Sequence, residues 1–177
     1  MKVYRYLLAC GILSFALSGT NSYAQESPKL SDPEIASVAV TANQIDIDAA
    51  KLAKEKSKDK DVINFAETMM NDHQAVINQA VALVKKLNVT PKDNAVSQKL
   101  TADAANTKKT LQSKSGKDFD KAYIDNEVAY HKAVIDAVQN LLIPQSQNAE
   151  LKQLLQNIMP ALKAHLEHAE MVQKNFK

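Results

Sequence analysis

Three histidines and two carboxylates fall on faces of predicted helices that are otherwise apolar. His73, His131 and His165 lie at the centres of these faces, and Asp46 and Glu127 lie on matching ones. Burying ionisable groups costs free energy unless they are paired, hydrogen-bonded or metal-bound. Imidazole and carboxylate suit Zn, Fe, Cu or Mn. We therefore interpret these five residues as candidate ligands of a single transition metal ion, or as contacts for a small ligand.

The distance of each candidate from the nearest tight turn predicts its depth along the helices. Asp46 lies about twelve residues before the first turn and His73 about fourteen after it, at ~1.5 Å per residue. Glu127 and His165 both lie about eighteen to nineteen residues from the second turn, and His131 lies one helical turn closer. The five side chains should therefore meet near the middle of the fold.

The same cluster has a structural interpretation, in which a hydrogen-bonded polar layer fixes the helix register and a carboxylate satisfies a histidine. A di-iron site of the ferritin type is disfavoured, because it needs a Glu on two helices and Glu-x-x-His on two others. Here Glu67 precedes Met70 rather than a histidine, and His165-x-x-His168 has no inward Glu beside it. The donors suffice for one metal ion and fall short for two.

Hydrophobic periodicity predicts an all-α chain, since apolar residues recur at helical spacing and no segment alternates as a half-buried strand would. Asp32 is the expected cap of the first helix, and Pro160 should kink the last one. The predicted helices run from about Asp32 to Ser57, from after Lys60 to near Asn88, from about Asn94 to Ser113, from about Asp118 to Ile143 before Pro144, and from about Ala149 to the C-terminus.

The connections between these helices predict the topology. Tight turns join helices one and two, and four and five, so each pair should be antiparallel. Nearly thirty residues separate the pairs, which is long enough for a weakly amphipathic helix to return along the fold. We therefore expect one domain over residues 31–177, a ferritin-like four-helix bundle with an additional crossover helix.

The N-terminus has the layout of an export signal. Lys2 and Arg5 precede an apolar run from Tyr6 to Leu17, and small residues stand where a signal peptidase requires them. We predict a signal peptide over residues 1–24, cleavage after Ala24 and a polar leader over residues 25–30. Lipid attachment at Cys10 is the alternative, although the apolar run ahead of it is short. The mature protein should be periplasmic or secreted, without a transmembrane segment.

Charge disfavours nucleic acid as a partner. The formal charge is +2, and removal of Lys2 and Arg5 leaves 20 lysines against 20 acidic residues. Arg5 is the only arginine, whereas recognition of phosphates and bases favours guanidinium groups and a basic face. A small ligand or an envelope protein remains a possible partner.

Three blocks of residues resemble a bacterial exported family known only as domain of unknown function 4142. The resemblance extends from about Ser31 to Val172. It implies a ferritin-like bundle that is secreted or periplasmic, often described as an outer-membrane or membrane protein, with no settled activity. The recurrent histidines of the family correspond to His73, His131 and His165. The matching residues are Phe65-Ala66 with Met69 or Met70 and Asp72-His73; Gly116 with Phe119-Asp120-Lys121-Ala122-Tyr123 and His131; and Pro160 with Leu162, His165-Leu166 and Ala169.

These observations favour an exported, non-enzymatic helical bundle that binds a metal ion or a small ligand. One alternative is a metal-dependent oxidoreductase or metal-storage protein of the ferritin-like type. Another is a purely structural interaction module of the cell envelope. Hydrolase chemistry is disfavoured, because no glycine-framed serine nucleophile occurs.

Overall fold

The computed structural model describes residues 28–176, which form helices and contain no strand. This confirms the all-α prediction. The predicted signal peptide, with Cys10 and Ala24, lies outside the described residues, and so do residues 25–27 of the leader. No helix in the described range is both long enough and apolar enough to cross a membrane. The long helices are α1 (Asp32–Lys56), α2 (Lys60–Lys86), α3 (Ala95–Gln112), α4 (Gly116–Ala137) and α6 (Ala149–Gln173).

The first helix is capped by a different residue from the one predicted. Ser31 has the extended backbone of an N-cap, with φ −82° and ψ 163°, and its N–H donates to the Glu34 carboxylate at 2.9 Å. Asp32 is therefore already the first helical residue. Its carboxylate instead accepts the backbone N–H groups of Gln147 and Asn148, each at 2.9 Å. The prediction of Asp32 as the cap is wrong, and its side chain ties the start of α1 to the loop before α6.

The fourth helix extends past its predicted end at Ile143. A π-helical segment, Val138–Leu142, follows α4, and the short helix α5, Ile143–Gln145, follows that segment. The N–H of Ile143 donates to the carbonyl of Val138, five residues back. Pro144 has no N–H, and its ring clashes with the carbonyl four residues earlier in a regular helix. The wider turn accommodates Pro144, so the chain stays helical to Gln145.

The last helix runs through Pro160 from Ala149 to Gln173, followed by a 3-10 turn over Lys174–Phe176. The kink at Pro160 stays a prediction. The end of the leader is fixed, because Leu30 is buried and its N–H donates to Oε1 of Gln145 at 2.6 Å.

Two apolar clusters form the core: α1 and α6 contribute buried residues to both, whereas α2 and α4 contribute buried residues to the first and pack only partly buried ones against the second. The first cluster includes Phe65 and Tyr123, and the second includes Ile35 and Leu155. Helix α1 packs along α2, and α4 packs along α6, while α3 lies against α1 and α4 with only two buried residues, including Leu111. Along α1, α2, α4 and α6, buried polar residues lie between the part of the helix in the first cluster and the part that packs in or against the second.

Candidate metal centre

The structure brings together all five side chains that the sequence singled out. Asp46 comes from α1, His73 from α2, Glu127 and His131 from α4, and His165 from α6. Each is buried, with 6% exposure at most. Four helices that are distant in sequence therefore supply one cluster between the two apolar parts of the core. The role of these residues as ligands stays a prediction.

The three imidazoles form a compact triangle. The ring centroids of His73 and His165 are 5.1 Å apart, those of His131 and His165 are 5.5 Å apart, and those of His73 and His131 are 5.8 Å apart. One nitrogen from each ring lies within 4.8 Å of the corresponding nitrogens of the other two rings. The triangle is therefore small enough for a single ion to contact all three rings.

Hydrogen bonds on the outer side of the triangle determine the tautomer of two rings. Nδ1 of His131 lies 3.0 Å from the backbone carbonyl oxygen of Glu127, which can only accept, so Nδ1 carries the proton. Nε2 of His165 lies 2.9 Å from Oδ2 of Asp72, which acts as an acceptor in the same way. The remaining nitrogens, Nε2 of His131 and Nδ1 of His165, therefore present lone pairs.

The third ring is held by an asparagine on α1. Nδ2 of Asn43 donates to the carbonyl of Ala39 at 2.8 Å, which leaves its Oδ1 to accept from Nδ1 of His73 at 2.7 Å. Nε2 of His73 therefore presents a lone pair as well. Metal-binding histidines usually donate their other N–H to such an acceptor, which fixes the tautomer and the ring orientation.

Asp46 lies beside two of the three imidazole rings. Its Oδ2 lies 3.3 Å from Nε2 of His73 and 3.6 Å from Nε2 of His131. Neither carboxylate oxygen has a hydrogen-bond partner among residues 28–176, and neither do these two nitrogens or Nδ1 of His165. Buried polar atoms in native proteins are nearly always hydrogen-bonded, so a group of unpaired atoms facing one another requires an explanation. An ion pair between Asp46 and a protonated histidine would supply one, and so would a metal ion bound between Asp46 and neutral rings.

The spacing of these atoms fits a metal ion. Four ligands at ~2.05 Å from a tetrahedral centre are separated from one another by roughly 3.3 Å, using the usual Zn–N and Zn–O distances. The two distances from Oδ2 of Asp46 are close to that separation. The three histidines form one compact donor group, and Asp46 approaches two of them and also groups with Glu127 and His131.

Burial favours the metal-binding form of two of the histidines, His131 and His165. It lowers the pKa of His131 and of His165, in each case against smaller opposing effects of nearby carboxylates. Neutral imidazole is the ligand form, because a protonated ring has no free lone pair. The low polarity of this region therefore favours the neutral form of these two rings, in which one nitrogen keeps its lone pair.

Glu127 behaves differently from Asp46. Burial raises its pKa well above the ordinary range, and the neighbouring charge of Asp46 raises it further. Its Oε2 lies 3.7 Å from Nδ1 of His131, the nitrogen on the outer side of the triangle. Glu127 could join Asp46 and His131 in a second donor group. A protonated Glu127 is a poor ligand, so it fits the first donor set less well than the other four residues do.

Sequence reasoning missed Asn43 and Asp72, which orient His73 and His165. Asn43 precedes Asp46 by three residues and so shares its helix face, a signal that could have identified it. Asp72 is exposed, and its position beside His73 in sequence gave no indication that it would contact His165. His168, three residues after His165, packs against Phe65 with ring centroids 5.1 Å apart.

Comparison with known proteins supports the fold and the family. A solved structure described as "CopM in the Cu(II)-bound form" is similar over 84% of this chain and 100% of that chain, with a TM-score of 0.62 and 17% sequence identity. At this identity the likeness shows the fold alone. A search of curated proteins found no match. The model of the family described as "Domain of unknown function (DUF4142)" matches residues 18–172, so the chain belongs to the DUF4142 family.

Proposed function

We propose that this protein binds one Cu(II) ion through His73, His131, His165 and Asp46. The observation that carries the proposal is the group of buried, unpaired nitrogen and oxygen atoms that face one another from four helices. The outer hydrogen bonds of the three rings support it, because they orient the free nitrogens toward a common centre.

Copper is the preferred ion for three reasons. Affinity for a given nitrogen and oxygen site is highest for Cu(II) among the divalent first-row metals. The donor set contains no sulfur, which Cu(I) would select. The structurally similar protein CopM has been solved with Cu(II) bound. Zn(II) is the second candidate, because the distances around Asp46 match the edges of a tetrahedral site.

The role we propose is binding rather than catalysis. Bound copper would supply a Lewis-acidic, redox-active centre. The four protein donors would fill a four-coordinate site and leave no position for a substrate on the ion. An oxidoreductase or ferritin-like storage protein would need an open coordination position or a second metal site. A purely structural module would pair Asp46 with a protonated histidine, and the stability of Asp46→Asn tests that alternative.

The compartment and the finer topology belong to the same proposal. We infer export to the periplasm or the medium after cleavage following Ala24, from the charged and apolar pattern of residues 1–24. We also infer that α1, α2, α4 and α6 form a ferritin-like four-helix bundle with α3 as the crossover. The packing of α1 on α2 and of α4 on α6 supports this arrangement.

Copper titration of histidine variants tests the proposal. The protein matured in its host should bind one Cu(II) per chain, measured by competition with a chelator, with nitrogen hyperfine splitting in the electron paramagnetic resonance spectrum. His73→Gln should weaken binding by more than the 10–100-fold that is typical when a residue hydrogen-bonded to a metal ligand is replaced. His168→Gln is the matched control, because this ring lies against Phe65 outside the cluster. Equal affinity of the two variants would refute the site.

A competition experiment then identifies the ion. Protein loaded with Zn(II) should release it on addition of equimolar Cu(II), as the affinity order for divalent metals requires. Retention of Zn(II) under these conditions would show that the site selects zinc rather than copper.

A further inference from the structure

An apolar cavity of about 250 Å³ lies between α1, α3 and α4 and reaches the candidate metal centre. Val96, Leu100 and Ala104 of α3 line one wall, and Val38 of α1 and Val134 of α4 line others. Water has few hydrogen-bonding partners against such walls, and apolar cavities of this kind bind apolar molecules readily.

The inner end of the cavity differs from its walls. Asp46 lines it there, together with His73 and His131. The carboxylate of Asp46 is buried, and neither Oδ1 nor Oδ2 accepts a hydrogen bond among the described residues. Oδ2 is the oxygen that faces the two histidines. Oδ1 therefore lacks a donor whether or not an ion binds to Oδ2.

We propose that this cavity binds a small molecule with an apolar body and one hydroxyl group, an alcohol or a phenol. The body packs against α3, and the hydroxyl donates to Oδ1 of Asp46. A carboxylic acid would bring a second negative charge against Asp46, and an ammonium group would lose its hydration among apolar walls. A neutral donor satisfies the carboxylate without either cost.

The volume sets the size of this ligand. A cavity of ~150 Å³ is enough for benzene, so about 250 Å³ leaves room for roughly three or four further carbon atoms. A phenol with a short alkyl chain matches this size, and 4-butylphenol is a suitable probe. Butylbenzene is the matched compound without the hydroxyl group.

Calorimetric titration of both compounds into the metal-free and Cu(II)-loaded protein tests the proposal. We expect 4-butylphenol to bind about 10-fold more tightly than butylbenzene, or better, because hydrogen bonds to charged groups are among the stronger ones. Equal affinity of the two compounds would overturn the assignment of the hydroxyl to Asp46. Failure of both to bind up to their solubility limits would overturn the proposal.

Two adjacent alanines on α3 provide a matched pair of variants. Ala104 lines the cavity, whereas Ala105 is exposed and does not. Ala104→Trp should fill the cavity and weaken 4-butylphenol binding at least tenfold, and Ala105→Trp should leave it unchanged. Equal affinities in the two variants would place the ligand elsewhere. If Ala104→Trp does not fold, Ala104→Leu fills less of the space and should weaken binding by a smaller factor.

The same samples separate this inference from the copper proposal. Both tryptophan variants should keep the Cu(II) stoichiometry of the original protein, because neither position supplies a metal donor. Binding of the phenol by metal-free protein would stand even if copper binding failed. Loss of copper binding in Ala104→Trp but not in Ala105→Trp would show that the cavity variant disturbs the site, and Ala104→Leu would then decide.

Discussion

Replacing Asp46 by asparagine should stabilise the metal-free protein while weakening its metal site. In the metal-free state, Oδ2 of Asp46 faces lone pairs of His73 and His131 at 3.3 and 3.6 Å, so acceptors face acceptors. The amide nitrogen of Asp46→Asn carries two hydrogens and has nearly the same shape. In that position it could donate to Nε2 of His73 at 3.3 Å, whereas the 3.6 Å separation from His131 is too long for a hydrogen bond.

The size of the effect follows from the shorter contact. A neutral hydrogen bond contributes about 0.5–1.5 kcal/mol net, so one new bond should raise the unfolding free energy by roughly that amount. For a domain of this size, each kcal/mol raises Tm by about 2–4 °C. The neutral amide is also a weaker ligand than a carboxylate. Copper at a hundred times its Kd should add ~2.7 kcal/mol to the original protein and clearly less to the variant.

Urea unfolding with and without Cu(II) measures both effects, and Asp48→Asn is the control. Asp48 lies two residues further along α1 with its side chain 54% exposed, beside Lys51, so its replacement should change stability by less than about 0.5 kcal/mol. A metal-free Asp46→Asn protein that is less stable than the original would refute the reasoning. That result would mean that Asp46 forms an ion pair with a protonated histidine.

Three further predictions concern protonation and ring orientation. Burial raises the pKa of Glu127, so the folded protein holds a proton there that the unfolded chain releases above about pH 4.5. The stability linked to this proton is complete below about pH 4.5 and is lost as the pH rises through the folded pKa. Urea unfolding across pH should therefore show a smaller loss of stability with rising pH for Glu127→Gln than for the original protein. The exposed Glu55→Gln should show the same pH dependence as the original protein. Burial lowers the pKa of His131, so the unfolded chain takes up a proton first below about pH 6.5 and the metal-free protein loses stability there. His131→Gln should reduce that loss in the same series, and an unchanged slope would contradict the assignment. Asn43→Ala should weaken Cu(II) binding about 10–100-fold in chelator competition, because it removes the acceptor that orients the ring of His73. The exposed Gln44→Ala should leave the affinity unchanged.

The inward position of the five candidate residues could be predicted because helical periodicity assigns a face to each residue. Counting from the tight turns then gave a common depth for Asp46 and His73, since rise per residue is nearly constant in a helix. The helix boundaries could be predicted for a similar reason. Proline, glycine and capping residues mark most of the ends, and the observed bounds lie close to the expected ones.

Other features depend on side-chain rotamers and on contacts between helices, which periodicity does not determine. The bonds from Asn43 to His73 and from Asp72 to His165 join different helices, and either residue would be equally plausible as a solvated polar side chain. The π-helical turn before Pro144 is a local response to the proline that no spacing rule predicts. The cap at Ser31 instead of Asp32 depends on a shift of one residue, which lies within the uncertainty of any helix boundary.

The division of the core into two apolar clusters affects how the protein can come apart. Because α1 and α6 supply buried residues to both clusters, and partly buried residues of α2 and α4 pack against the second, both clusters depend on the same four helices. Unfolding one half of these helices would remove packing contacts from both clusters at once. Amide protons near the central histidines should therefore exchange with solvent only when the whole domain opens, at a rate common to all four helices.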